Sequence, residues 1–223
     1  MLSVEQRNWL GMQSERYETH LHLADGVLQA RGLQDIAASY HLGVVTEPPP
    51  AHRRFDGRLS IPYITPAGVV DIRFRCIEDH DCAEIAEREK EAEVPVQWRH
   101  KKYLQVGEDH VYNVGAFHER SFAIGVCEGE LDGAIADTLV LPSVGIAGAT
   151  KWKSHWSRLF EDYERVFVIG DGDPAGREFS KVVSRKIGNH AVGIVMPDGH
   201  DINSYYVEHG EKELIKTILG ESE

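Results

Sequence analysis

Three acidic clusters have residue types and spacing suited to metal-assisted chemistry. Cys127-Glu128-Gly129-Glu130-Leu131-Asp132 and Gly170-Asp171-Gly172-Asp173-Pro174-Ala175-Gly176 each follow a short apolar run, and Met196-Pro197-Asp198-Gly199-His200-Asp201-Ile202-Asn203 follows another. Acids gathered at one place repel, and each raises the pKa of its neighbours unless a cation offsets the charge. Oxygen-only ligands call for magnesium or manganese. A pair of such ions about 4 Å apart stabilises the attacking and leaving oxygens of phosphoryl transfer. A sugar hydroxyl attacking a nucleoside triphosphate is the natural candidate. Each acid also has an ordinary explanation. Asp173 suits the cap of a helix opening at Pro174, and Glu128 suits a first helical turn. Asp198 and Asp201 suit either a second ion or the cap of the final helix.

Convergence depends on the elements that carry these residues. From Ser121 onward, apolar runs at 122–127, 138–141, 166–169 and 191–196 alternate with helix-like segments at 130–137, 151–163 and 174–187. Such alternation predicts an α/β fold: a mostly parallel sheet with helices on both faces and ligands outside the carboxyl ends of its strands. Glu128, Asp171 and Asp198 come directly after such ends. Within the segment 151–163, Trp152 and Trp156 stand four apart, a core spacing, while Lys151 and Lys153 suit contact with stacked single-stranded bases.

The first part of the chain reads as α+β. Ser3-Val-Glu-Gln6 is a capping box, and Trp9, Leu10, Gln13, Tyr17 and Leu21 continue a helix over about the first 23 residues. A short helix is expected over 34–40, ending near Gly43, with a connection at Pro48-Pro49-Pro50. Residues 59–64 and 69–75 read as a hairpin about Thr65-Pro66-Ala67-Gly68.

The net charge of -12 argues at first against a polyanion partner, since such binding is chiefly counterion release by Lys and Arg. Half of it, however, lies in residues 78–93, where eight acids face Arg88 and Lys90. That run reads as an exposed helix or a solvated loop. Nucleic acid is therefore not excluded. Three cysteines are too few for a disulfide framework. Cys76-Ile-Glu-Asp-His80-Asp-Cys82 reads as a zinc half-site with no second pair at usual spacing to complete it. The scattered histidines do not suggest a histidine site. The N-terminus lacks a signal pattern, and no run of about 18 apolar residues occurs. These features predict a soluble cytoplasmic protein without a membrane partner.

These motifs resemble the TOPRIM fold of primases, topoisomerases and certain nucleases: a Glu after the first strand and an Asp-x-Asp after a later one. Asp-Gly-Asp-Pro-Ala-Gly is similar to the primase version. Gly57-Arg-Leu-Ser-Ile-Pro-Tyr63, Val70-Asp-Ile-Arg-Phe-Arg75, Lys102-Tyr-Leu104 and Tyr112-Asn-Val114 resemble the N-terminal half of DnaG-type primase cores, and Asp198-Gly-His-Asp201 resembles a further element of that family. The resemblance implies a smaller N-terminal α+β subdomain (1–118), a TOPRIM domain (119–208) and a C-terminal helical tail (209–223). It implies template-directed synthesis of RNA primers on single-stranded DNA from ribonucleoside triphosphates. Glu128, Asp171 and Asp173 would hold catalytic Mg2+ or Mn2+, with Asp132, Asp198 and Asp201 assisting. Arg73, Arg75, Lys101 and Lys102 would face template and nucleotide.

Departures qualify the resemblance. No cysteine-rich zinc module precedes residue 1, so unaided initiation is in doubt. Asn203 stands where many members have another Asp. No phosphate-binding loop of helicase type occurs. The compact chain resembles phage primases acting in a bacterial cytoplasm, whose zinc-binding module and replicative helicase can be separate proteins. A TOPRIM nuclease using the same acids and a non-catalytic DNA-binding module of the replisome are the alternatives.

Overall fold

The computed structural model describes residues 2–220. The chain divides into two compact units. One takes the chain up to Val27 with Ala37–Tyr63 and Ala67–Glu108; the other takes Leu28–Ile36, Ile64–Pro66 and everything from Asp109 onward. The change of unit near residue 108 precedes the boundary expected at 118.

In the first unit, helix α1 (Val4–Glu18) opens with the anticipated capping box: the Ser3 hydroxyl accepts from the Gln6 N–H while the Gln6 side chain accepts from the Ser3 N–H. It stops five residues short of the expected end. A 3-10 turn over Leu21–Ala24 and the short helix α2 (Asp25–Ala30) follow. The helix expected at 34–40 is absent. There the chain makes successive turns, with Ile36 bonded to Leu33 and His41 to Ala38, that bury Ala37 and Leu42. Burial of those anchors overrides local helix propensity.

Four strands, β1 (Gly43–Val44), β2 (Leu59–Thr65), β3 (Gly68–Arg75) and β4 (Tyr103–Gln105), form a sheet in that order. The expected hairpin is β2 and β3. Tyr17 of α1 packs with Val45, Phe55, Val69, Ile72 and Phe74, and Phe55 stacks on Phe74 with ring centroids 3.9 Å apart. β4 returns antiparallel to β3 with Arg75 opposite Tyr103. Between them lies helix α3 (Cys82–Glu91), capped by Asp81; none of its residues is buried.

The second unit is the anticipated parallel layer. Strands β5 (Ala123–Cys127), β6 (Ser143–Gly145), β7 (Arg165–Gly170) and β8 (Ala191–Val195) lie in the order β6-β5-β7-β8, all parallel. Their helices are α4 (Glu130–Leu139), α5 (Pro174–Ile187) and α6 (Ile202–Leu219). The apolar run 138–141 is not a strand. It closes α4, and β6 begins only after Pro142, whose ring removes an N–H and whose carbonyl accepts from Gly125.

The segment 151–163 is not an α-helix either. Trp152 and Lys153 are extended, and 3-10 turns over Ala149–Lys151 and Ser154–Phe160 flank them. The tryptophans nonetheless take the core positions their spacing suggested: both are buried with Phe160 among Ile124, Val126, Val168 and Phe179. Lys153 lies over the Trp156 ring at 5.7 Å, and Lys151 pairs with Asp109 at 3.2 Å. The expected tail is the second half of α6. After a break at Gly210, Leu214 and Ile218 are buried, whereas 221–223 lie outside the described residues. Among the described residues no helix is long and apolar enough to cross a membrane.

Candidate active site

The sheet order explains how acids remote in sequence meet. β5 and β7 pair in parallel with Cys127 beside Ile169, so both chains leave the sheet at the same edge. The Glu128 N–H donates to the Ile169 carbonyl at 3.2 Å, and the Glu128 carboxylate accepts from the Asp171 N–H. β8 leaves beside them. The Gly172 N–H donates to the His200 carbonyl at 2.7 Å and the Gly199 N–H to the Gly172 carbonyl at 3.0 Å. All three acid-bearing loops therefore share one edge of this unit.

Two glycines permit that closeness. A Cβ on Gly172 would stand 1.9 Å from the Pro197 carbonyl oxygen, and one on Gly176 would stand 2.1 Å from that of Asp171. Any side chain at either position would push the Asp171 loop off its neighbours.

Glu128 is half-buried, and its Oε2 is buried without a hydrogen-bond partner. Burial, then the charges of Asp173 and Asp132, push its carboxyl up to about 7, opposed by the Asp171 N–H. Asp132, in the first turn of α4, is buried and held well above the usual carboxylate range. Burial is the main cause, followed by the charges of Asp201 and Asp171, while Arg31 and the Asn203 N–H oppose it. Such mutual elevation marks a place where negative charge is poorly offset.

The remaining acids divide. The Asp173 side chain caps α5, accepting from the Gly176 N–H at 2.7 Å. Asp201 caps α6 in a reciprocal box with Ser204 and lies 3.7 Å from Arg31. Asp198 is exposed and pairs with Arg177 at 2.9 Å. Asn203 is buried, its backbone N–H donates to Asp132, and neither polar atom of its side-chain amide finds a partner.

Glu128, Asp171 and Asp173 are neighbours, not a closed shell: among the described residues, the groups with ligand atoms within 4.8 Å of one another lie elsewhere. The donor set still fits a hard divalent cation. It is all oxygen, includes an orphaned buried carboxylate atom, and carries repulsion that a cation would relieve.

The basic residues lie in the first unit. Arg75 is buried and donates to the Tyr103 hydroxyl, and Arg73 lies 4.3 Å over the Tyr103 ring. Lys101 and Lys102 are exposed, and their carbonyls accept from Arg58. The half-site at Cys76, His80 and Cys82 does have a completing residue, contrary to expectation. His100 joins it, with all four ligand atoms within 4.8 Å. Its distance along the chain hid it, because it returns only where the chain re-enters the sheet.

Comparison with known proteins agrees with this geometry. The RNA polymerase domain of Mycobacterium tuberculosis primase DnaG superposes with a TM-score of 0.72 at 19% identity, covering 96% of this chain and 83% of that one. A DnaG primase catalytic domain bound to single-stranded DNA matches with a TM-score of 0.68 at 18% identity, covering 97% and 82%. The fold is thus that of a DnaG-type primase catalytic core, TOPRIM domain included. No family model matches the chain. The Gene 57 protein of Mycobacterium phage D29 is 36% identical over 119 residues, 52% of this chain and 78% of that protein. With so large a share of that relative covered, the chain belongs to the same family as the mycobacteriophage Gene 57 protein.

Proposed function

We propose that this chain is the catalytic core of a DNA primase, a nucleotidyltransferase that builds short RNA strands on single-stranded DNA. The observation that carries the reading is the convergence of Glu128 on the Asp171-Gly172-Asp173 loop at one strand edge. The primase fold in which it occurs supports it.

Glu128, Asp171 and Asp173 would hold Mg2+ or Mn2+, with Asp132 and Asp201 supporting them and Asp198 at the rim. Such an ion neutralises charge on triphosphate oxygens. The chain's own groups supply the rest. In the metal-free protein the Glu128 carboxyl, pushed up to about 7, takes up a proton near neutral pH, and a bound ion would displace that proton. Lys101 and Lys102, exposed, bind template phosphates by releasing counterions. Arg73 and Arg75 fix the Tyr103 edge of the sheet, against which nucleotide or template would lie. The reading includes cooperation with a replicative helicase and a zinc-binding module, in a phage-infected bacterial cytoplasm.

The test is incubation with single-stranded templates of varied sequence, labelled ribonucleoside triphosphates and Mg2+ or Mn2+. Short labelled RNA is expected. Cleavage of labelled DNA would instead assign a nuclease, and neither product, even with a zinc-bearing partner added, would assign a non-catalytic module.

A further inference from the structure

The excursion between β3 and β4 has no apolar anchor of its own. It spans residues 76–102, carries the acidic run 78–93, and its helix α3 buries nothing. Its two ends are joined, since the Cys76 N–H donates to the Lys102 carbonyl at 2.8 Å. At that base stand four side chains suited to one metal. Cys76 follows β3, His80 and Cys82 flank the start of α3, and His100 precedes β4.

We infer that Cys76, His80, Cys82 and His100 form a structural zinc site that pins this excursion to the first unit. Their ligand atoms all lie within 4.8 Å of one another, with the Cys76 sulfur 3.5 Å from His80 Nε2 and the two histidine Nε2 atoms 3.0 Å apart. Tetrahedral zinc with ordinary bond lengths separates a sulfur from a nitrogen by about 3.6 Å and two nitrogens by about 3.3 Å. The observed edges need to open by only a few tenths of an ångström.

Neighbouring groups prepare the ligands. The Glu78 carboxylate lies 3.3 Å from His80 Nδ1, which fixes the proton there and leaves Nε2 free to ligate, the usual outer partner of a zinc-bound histidine. The His100 N–H donates to the Glu89 carboxylate of α3, so the helix and the returning strand meet at the same point. Asp81 is occupied as the α3 cap through the Ala83 and Glu84 N–H groups and is not a competing ligand. Two thiolates and two imidazoles in a tetrahedron favour zinc over magnesium, whose ligands are oxygens. Metal at the base would replace the buried apolar surface that α3 lacks.

The inference is independent of the primase reading, because its readout is metal content and ligand spectrum. Full-length protein expressed with zinc and passed over chelating resin should retain one zinc per chain by elemental mass spectrometry. Cobalt substitution should give tetrahedral ligand-field bands with a thiolate-to-cobalt charge-transfer band. Cys82→Ser and His100→Ala should each lose the stoichiometric zinc, while Asp171→Asn should keep it. If the wild type retains no zinc, if the cobalt spectrum lacks the thiolate band, or if Cys76 and Cys82 are found joined as a disulfide, the site does not exist as described. Those wild-type readings stand even if a variant fails to fold.

Discussion

The Glu128 carboxylate accepts a hydrogen bond from the Asp171 N–H while its Oε2 is buried without a partner. One strand end thus holds the other's acid in place and leaves it costly to ionise. Its folded-state pKa is raised from 4.5 to about 7, so its contribution to stability is fully present below the unfolded value and is lost as pH rises through 7. Metal-free protein should therefore melt at a higher temperature near pH 5 than near pH 8. Glu128→Gln should reduce that dependence, leaving the share due to the buried Asp132, and stabilise the metal-free protein at pH 8 by about 1–2 kcal/mol, allowing for the group's partial contact with water. The same variant should lose nucleotide incorporation. Calorimetry across pH checks the first expectation, and an unchanged pH profile would contradict it.

Protons and metal compete at the same carboxylate. With Glu128 titrating near 7, its proton alone should lower Mn2+ affinity, measured by paramagnetic relaxation, about tenfold between pH 8 and pH 6, and the raised carboxyl of Asp132 should add to that fall. In Glu128→Gln the dependence should weaken by about that tenfold share. An absent dependence in the wild type, or one that Glu128→Gln leaves unchanged, would place the titrating group elsewhere.

Asp173 serves two ends that substitution can separate. Asn caps a helix about as well as Asp, so Asp173→Asn should fold with nearly wild-type stability yet lose most incorporation. Asp173→Ala should lose activity and also about 1 kcal/mol through the missing cap. Full activity in the Asn variant would reduce Asp173 to a cap.

Lys102 is exposed beside the β3–β4 edge. Replacing it with Ala should weaken single-stranded DNA binding across sequences and reduce the salt slope of binding by about 1. Fluorescence anisotropy at several salt concentrations measures it; an unaltered slope would remove Lys102 from the interface.

Much of the second unit was legible because its signals are local. β5, β7 and β8 fall within a residue or two of the apolar runs, and α5 starts at Pro174 behind the cap that Asp173 suggested. The βα alternation implied that Glu128 and Asp171 stand at one edge of a parallel sheet; that they meet follows from the strand order, in which β5 and β7 pair. The failures were cases where tertiary packing decided. Trp152, Trp156 and Phe160 reach the core from 3-10 turns, and Ala37 and Leu42 are anchored by turns in place of a helix. Asp198 had a strand-end position like that of Asp171, but only the fold shows that it turns outward to Arg177. His100 is hidden for another reason: the pairing of Arg75 with Tyr103 brings it to Cys76 across a long excursion whose spacing matches no common zinc pattern.

The most direct measurement is extension of a short RNA already annealed to single-stranded DNA, which bypasses any need for an initiation partner. Wild-type protein with Mg2+ or Mn2+ should add ribonucleotides, and Asp171→Asn should add none while keeping its circular dichroism spectrum and most of its DNA binding. Extension by Asp171→Asn at the wild-type rate, or extension by the wild type in excess chelator, would contradict the account.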